Sequence, residues 1–323
     1  MKVLITGGSG LVGSRLTEVM TLRGFEVVHL STSVKEPELQ NGVEVFPWNP
    51  RRGEMHPLAL NNVDVVVHLA GASIAKKWTP EYKKEIINSR VQSTRLLYNE
   101  IKKRSDRPSA IVAASASGFY PNNYNEHLSE EHPSGDDFLS ETTVKWEEEV
   151  MRLEELNLRV SRIRIGFVLS LRGGALPELE KPTKLLGGTP VGSGKQFIPW
   201  IHIDDLCRIF LRAVEDETMR GAYNAGGPSA ATNAQFMKVL SKKLNRPYWG
   251  IPVPAFLLKL VMGENALLAL ASNAMDTSKI RSTGFEYIYP TLSDALDSFY
   301  DAHRIKQRDP ALKSALQTDV KIK

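Results

Sequence analysis

Gly7, Gly10 and Gly13 are spaced three apart in Thr6-Gly7-Gly8-Ser9-Gly10-Leu11-Val12-Gly13. The segment directly follows an apolar run, Lys2 to Thr6, and directly precedes a helical pattern whose apolar face is Leu16, Val19 and Met20. In that context the first glycine permits a tight turn, the second lets main-chain N–H groups approach a diphosphate, and the third lets helix and strand pack closely. The candidate diphosphate cradle is therefore Gly7, Ser9, Gly10, Leu11, Val12 and Gly13. At the end of the next strand stand Ser31 and Thr32, followed by Ser33 and Lys35, where a domain specific for NAD places a carboxylate on the ribose 2′-hydroxyl. Hydroxyls and a lysine without a carboxylate favour a 2′-phosphate, so NADP is expected in preference to NAD.

Other reactive residue types are sparse. His68 and His202 each lie inside an apolar strand pattern and read as structural histidines. Asp204-Asp205 reads as a strand-to-helix cap, and no histidine or carboxylate cluster has metal-ligand spacing, so no metal is expected. The single cysteine, Cys207, excludes an intramolecular disulfide framework, fits a reducing compartment and reads as a small core residue.

The elements that must position these groups follow from periodicity. Strands are predicted at 2–6, 26–30, 43–46, 65–70, 110–114 and 159–165, alternating with helical patterns, the longest at 141–156. That alternation implies an α/β, doubly wound parallel sheet: a Rossmann fold with a smaller discontinuous substrate lobe. Glycine pairs punctuate the chain after residue 165, with a helix at 176–186, a strand-like 197–203 and a helix at 205–214. The Rossmann domain is assigned 1–170 and 197–222, the lobe 171–196 and 223–302, and a polar, basic tail 303–323 with one weak helical stretch at 311–316. The net charge of +4 on 323 residues, without basic stripes, gives no support to a nucleic-acid partner. The apolar stretch from Val253 to Ala271 is broken by Lys259, Gly263 and Glu264, so it reads as two helices joined at a glycine and not as a membrane span. Met1-Lys2 leads straight into Val3-Leu4-Ile5, which makes a secretory leader unexpected and the cytoplasm the expected location.

With these motifs in order, the chain resembles the extended short-chain dehydrogenase/reductases, and within them an atypical nucleoside-diphosphate-sugar epimerase-like branch with a C-terminal domain of unknown function. The likeness rests on the glycine turn, the strand leading into Leu69-Ala70-Gly71-Ala72, Trp78, Ser89-Arg90 with Ser93-Thr94, Trp146-Glu147, Gly173-Gly174, Gly192-Ser193-Gly194 ahead of Gln196, and Trp200-Ile201-His202. At the C-terminal side it rests on Val253-Pro254, Gly263-Glu264 and Gly284-Phe285.

The resemblance implies hydride transfer at a carbon bearing oxygen, with Leu69, Ala70 and Gly71 beside the cofactor. It also implies a Tyr-x-x-x-Lys pair on the long helix, in which lysine and cofactor lower the tyrosine's pKa. Here the chain departs: counted back from Trp146-Glu147, those positions fall on or near Leu139 and Thr143. Ser115 and Ser117 remain to polarise a carbonyl, and Tyr120 reads either as a displaced acid/base or as a packed aromatic with a satisfied hydroxyl. Lys76, Trp78, Gln196 and Trp200 are the candidate substrate residues. The expected function is an NADP-dependent oxidoreductase or epimerase-like enzyme for a small molecule, a sugar nucleotide among the candidates. The alternative is a catalytically silent NADP(H)-binding sensor or scaffold. A homodimer is compatible with the resemblance.

Overall fold

The computed structural model describes residues 1–123 and 125–318. By contacts it forms two compact units, the first comprising 1–119, 136–164 and 207–223, the second 120–135, 165–206 and 224 onward.

The first unit is built on a nine-stranded sheet. Its strands are β1 (Lys2–Thr6), β2 (Glu26–Ser31), β3 (Glu38–Gln40), β4 (Val43–Asn49), β5 (Glu54–Met55), β6 (Val65–His68), β7 (Ala110–Ala116), β9 (Arg159–Ile165) and β13 (Gly221–Ala225), the last two ending in the second unit. The order is β13-β9-β7-β6-β1-β2-β4-β3, with β5 on β4. β1 pairs in parallel with β2 on one side and with β6 on the other, and β3 and β5 run antiparallel at one margin. The central strands bury Val3, Leu4, Ile5, Val66, Val67, Ile111 and Val112 completely. Such continuous apolar runs suit a sheet covered on both faces. The strand order reverses between β1 and β6, and the carboxyl ends of strands at such a switch point are where open α/β sheets take ligands.

The covering helices include α1 (Leu11–Leu22), α2 (Pro80–Lys102), α3 (Phe138–Met151) and α5 (Ile203–Glu215). The predicted helix at 141–156 is α3 followed by a short 3-10 turn, Arg152–Leu156. The 23-residue α2 is missing from the periodicity reading. Its start is well marked, with Thr79 accepting from the amide of Tyr82 and Pro80 in the first turn. Its packed face, however, mixes Ser93 and Thr94 with Ile86, Leu97 and Ile101, which blurs the apolar period.

In the second unit, α4 (Leu176–Leu186), α6 (Asn233–Lys243) and α10 (Leu292–Tyr300) contribute to a core of Leu176, Trp200, Phe236, Leu240, Leu296 and Phe299. α6 opens with a reciprocal capping box between Thr232 and Gln235. α7 (Ala255–Met262) ends at Gly263, as the sequence implied. Where the sequence suggests a tail, Ala302–Thr318 forms helix α11 with Leu312 and Leu316 buried. Its Arg308 makes a bidentate pair with the fully buried Asp204, at 2.8 and 3.1 Å.

Candidate cofactor-binding site

The glycine turn joins β1 to α1 at the switch point. Gly7 adopts φ +70°, a conformation that favours glycine, and its carbonyl accepts from the amide of Gly10 at 3.0 Å. A Cβ on Gly13 would collide with that same carbonyl and with the Cα of Gly8, so helix and turn approach only because both side chains are missing. Gly10 is the N-cap of α1. It provides no side-chain cap, and the first helical turn carries no acidic residue. The amide end of the helix dipole is therefore left for an outside acceptor.

Two supports of this turn are absent from the sequence reading. The His29 ring lies against Gly8, where a Cβ would come within 2.5 Å of the ring atoms. His29 Nε2 is 2.8 Å from the Thr17 hydroxyl, which itself donates to the Gly13 carbonyl at 2.8 Å. That leaves the Thr17 oxygen to accept from His29 Nε2–H, and burial lowers the pKa of the ring. The second support is Thr6. Its hydroxyl oxygen accepts from the amides of Leu69 and Ala70, both at 3.1 Å, and its proton is directed to His68 Nδ1 at 2.7 Å. His68 Nε2–H then reaches Thr94 and Ser93, whose hydroxyls donate to the Arg90 carbonyl. Desolvation, with Arg90 nearby, pushes the His68 pKa down to about 3. The ring is a neutral structural tie across β1, β6 and α2. The ends of β1 and β6 are thus stitched together where Leu69, Ala70 and Gly71 leave the sheet. Arg90, whose own pKa burial lowers to about 10, packs against Gly71 and Trp146 and donates to the Ala72 carbonyl. Its role is loop support.

At the end of β2 the Ser31 hydroxyl accepts from the amide of Ser33, and Thr32 is exposed. The segment from Leu30 to Lys35 contains no carboxylate.

The hydroxyls after β7 have different fates. Ser115 is buried and donates to Glu147 at 2.6 Å. Glu147, on α3, also receives Arg164 and Arg162 from β9 at 2.8–3.0 Å. Burial alone would raise its pKa, but the two guanidinium groups and Ser115 outweigh it and hold the carboxyl below its ordinary range. Ser117 sits half-buried in the following 3-10 turn. Leu139 and Thr143, one helical turn apart on α3, face Gly118 in that same turn. The two positions counted from Trp146-Glu147 therefore do point at the strand end, with no titratable group on either. Lys145 points elsewhere, to Glu141.

Tyr120 belongs to the second unit, where it is buried and donates to Asn224 Oδ1 at 2.6 Å. Asn224 in turn is fixed by Leu128, Asp276 and Glu130. This is the packed-aromatic arrangement of the two considered for it. The candidate substrate residues separate similarly. Trp78 is buried against Phe138 with its indole N–H on the Ile74 carbonyl. Gln196 is buried and donates to the carbonyls of Val191 and Ala269, and Trp200 is buried with its N–H on Ser229. All three commit polar atoms to the protein's own main chain. Lys76 is exposed, its ammonium 5.6 Å from the centre of the Tyr82 ring.

His202 stacks on Phe299, accepts from the amide of Asp204 and meets Ser298, a structural position. Asp205 accepts from the amides of Ile288 and Tyr289. The two carboxylates thus clasp separate segments, Asp204 holding Arg308 and Asp205 the amides at 288–289. Cys207 is buried.

A doubly wound parallel sheet with an uncapped glycine-turn helix at its switch point defines a Rossmann-like fold of the NAD(P)-binding type. Comparison with known proteins narrows the class. The model of the NAD dependent epimerase/dehydratase family matches residues 3–143, and that of a domain of unknown function, DUF1731, matches 253–299. The epimerase family protein YfhF of Bacillus subtilis is 34% identical over 92% of this chain and 97% of its own length. An epimerase family protein of Staphylococcus haemolyticus is 35% identical over 93% and 99%. Among solved structures, the human epimerase family protein SDR39U1 with NADPH superposes with a TM-score of 0.82 at 32% identity, covering 94% of this chain and all of that one. The UDP-glucuronic acid 4-epimerase of Bacillus cereus, with UDP-glucuronic acid and NAD, shares the fold at a TM-score of 0.75 and 20% identity, covering 95% of this chain and all of that one. The chain belongs to the epimerase family.

Proposed function

We propose that this chain is an NADP(H)-dependent, epimerase-like oxidoreductase acting on a small carbonyl compound or a sugar nucleotide. The observation that carries the reading is the open N-terminus of α1, bared by Gly7, Gly10 and Gly13 and left without a side-chain cap. The residues fit a dinucleotide: amides of Gly7, Ser9, Leu11, Val12 and Gly13 would hold the diphosphate, Gly10, whose own amide closes the turn on the Gly7 carbonyl, would let it approach, Ser31 and Thr32 would receive the 2′-phosphate, and Leu69, Ala70 and Gly71 would line the cofactor's path. The human relative crystallised with NADPH supports that choice of cofactor. When bound, the nicotinamide gives or takes a hydride. The chain's own part is to orient the reacting oxygen. Ser117 takes this role from its place in the half-buried turn after β7, the turn that Leu139 and Thr143 face. Lys76 is the cation offered to an anionic substrate group. Calorimetry with NADPH and NADH tests the cofactor choice: wild type is expected to prefer NADPH. Thr32→Asp, which sets a carboxylate against the 2′-phosphate on an exposed side chain, should cost about tenfold in NADPH affinity. Equal affinity for both cofactors in both proteins would overturn it.

Leu139 and Thr143 in place of the tyrosine and lysine favour a second reading, a sensor that changes partner affinity with NADP(H) occupancy. Turnover separates the two. With a substrate found in a panel of carbonyl compounds and sugar nucleotides, Ser117→Ala should lower kcat by about a hundredfold, as loss of an orienting donor does. Tight NADPH binding with no turnover across the panel favours the sensor.

A further inference from the structure

Support of the loop after β6 uses only part of the Arg90 guanidinium. Nη1 donates to the carbonyls of Ala72 at 3.1 Å and Ile86 at 2.9 Å, and one face of the group lies over the Trp146 ring, with Cζ 5.0 Å from its centre. Nε and Nη2 meet no acceptor among the described residues, yet neither is sealed from solvent. No carboxylate among those residues pairs with the charge, although burial brings its pKa down to about 10. Other arginines of the first unit are fully engaged by the protein. Arg162 and Arg164 share Glu147, and Arg159 gives its Nη groups to the carbonyls of Ala213, Val214 and Met219. A desolvated guanidinium with a bare edge is costly unless an anion completes it.

The position of the edge selects the anion. A Cβ on Gly7 would stand 3.0 Å from the carbonyl carbon of Leu69 and 3.1 Å from the amide nitrogen of Ala70, so the glycine turn rests directly on this loop. One residue further, Gly71 lets the main chain come against Arg90, where a Cβ would be 3.0 Å from Cζ. The guanidinium therefore lies on the β6 side of the glycine turn. β2, whose end takes the 2′-phosphate in the reading above, pairs with β1 on the opposite side. We propose that the Nε–Nη2 edge of Arg90 is a diphosphate-binding group, which meets the cofactor's phosphate oxygens from the β6 side while the amides of the glycine turn hold them from the α1 side. The inference rests on the cofactor reading above and adds to it a full charge, where the helix end supplies only a partial one. The planar fork of an arginine matches phosphate oxygens in a way that a lone amide does not.

The test is calorimetry of the full chain with NADPH at low and high salt, for wild type, R90M and R90K, with a thermal melt of each. R90M keeps an apolar stem against Trp146 and loses the charge. It should bind NADPH about tenfold more weakly at low salt, and the deficit should shrink as salt is raised. R90K keeps the charge and should recover most of the loss, and adenosine 2′-phosphate, which has no diphosphate, should bind all three proteins alike. A residue that only props the loop gives a loss that is independent of salt and equal in R90M and R90K, and that result overturns the proposal. So does R90M with the affinity of wild type. A wild type that binds no NADPH removes the cofactor reading itself, a failure distinct from either of these. If R90M does not fold, nuclear magnetic resonance of the wild type decides. The Arg90 Nε–H signal, identified by its loss in R90K, should move on addition of NADPH and stay in place with adenosine 2′-phosphate. A signal that NADPH leaves unmoved contradicts the assignment.

Discussion

At the level of single residues, the groups that touch the glycine turn were legible where the main chain itself dictates the type. Gly7 needs its positive φ and Gly13 has no room for a Cβ, so spacing alone reveals them. His29, Thr17 and Thr6 support the same turn but were invisible, because a histidine or threonine in a strand or helix has no signature until its partners are folded against it. Trp78, Gln196 and Trp200 illustrate the converse. Large polar-tipped side chains beside glycine-rich loops look the same whether they line a cleft or build its walls, and here their tips bond main-chain carbonyls. His68 yields a prediction at this scale. Its pKa is about 3 in the fold against 6.5 when exposed, so the unfolded chain alone takes up a proton as pH falls below 6.5. The stabilisation is complete above that value and is lost progressively toward pH 3, by up to about 1.4 kcal/mol per unit. Denaturant midpoints measured between pH 6.5 and about 4 should fall more steeply for wild type than for His68→Asn. Parallel slopes would show that the ring is not buried neutral.

Among the elements, the sheet was readable because its central strands are buried on both faces and therefore almost wholly apolar, as in Val65-Val66-Val67 and Ala110-Ile111-Val112. α2 was not readable, since its packed side uses small hydroxyls that close over His68. Of α11 only the stretch at 311–316, with the buried Leu312 and Leu316, shows a helical pattern; the rest is polar, and the partner of its Arg308, Asp204, lies 104 residues away. The tie between elements with the largest expected energy is Glu147, which joins the end of β7 to α3 and β9 through Ser115, Arg162 and Arg164. Glu147→Ala leaves buried guanidinium groups uncompensated and should cost about 3–5 kcal/mol in chemical denaturation. Because the folded carboxyl titrates below 4.5, the stabilisation is present above pH 4.5 and is lost as pH falls through its lowered pKa. A cost below about 1 kcal/mol would mean that the cluster is solvated, as exposed ion pairs are.

For the molecule as a whole, family membership was readable from several short motifs in the right order, whereas the excursion of 120–135 into the second unit was not. The chain leaves the first unit at Tyr120, returns at Asp136, and enters α5 from the second unit. Those crossings fall inside continuous chain with no change of composition, so only contacts reveal them. Among the described residues no helix is long and apolar enough to span a membrane, which agrees with the broken apolar run at 253–271. The function rests on a single physical feature, the uncapped amide terminus of α1. Gly10 is the position that isolates it, because its φ of −75° is open to any residue and a Cβ there meets only the Gly7 carbonyl, at 3.2 Å. Isothermal titration of the full chain with NADPH, for wild type and Gly10→Ala, is the most direct test. Wild type should bind, and the variant should lose affinity by about tenfold or more, with a melting point within a few degrees of wild type, because the added methyl meets the diphosphate and little else. No association of NADPH or NADH with wild type at millimolar ligand, or unchanged NADPH affinity in Gly10→Ala, would contradict the assignment.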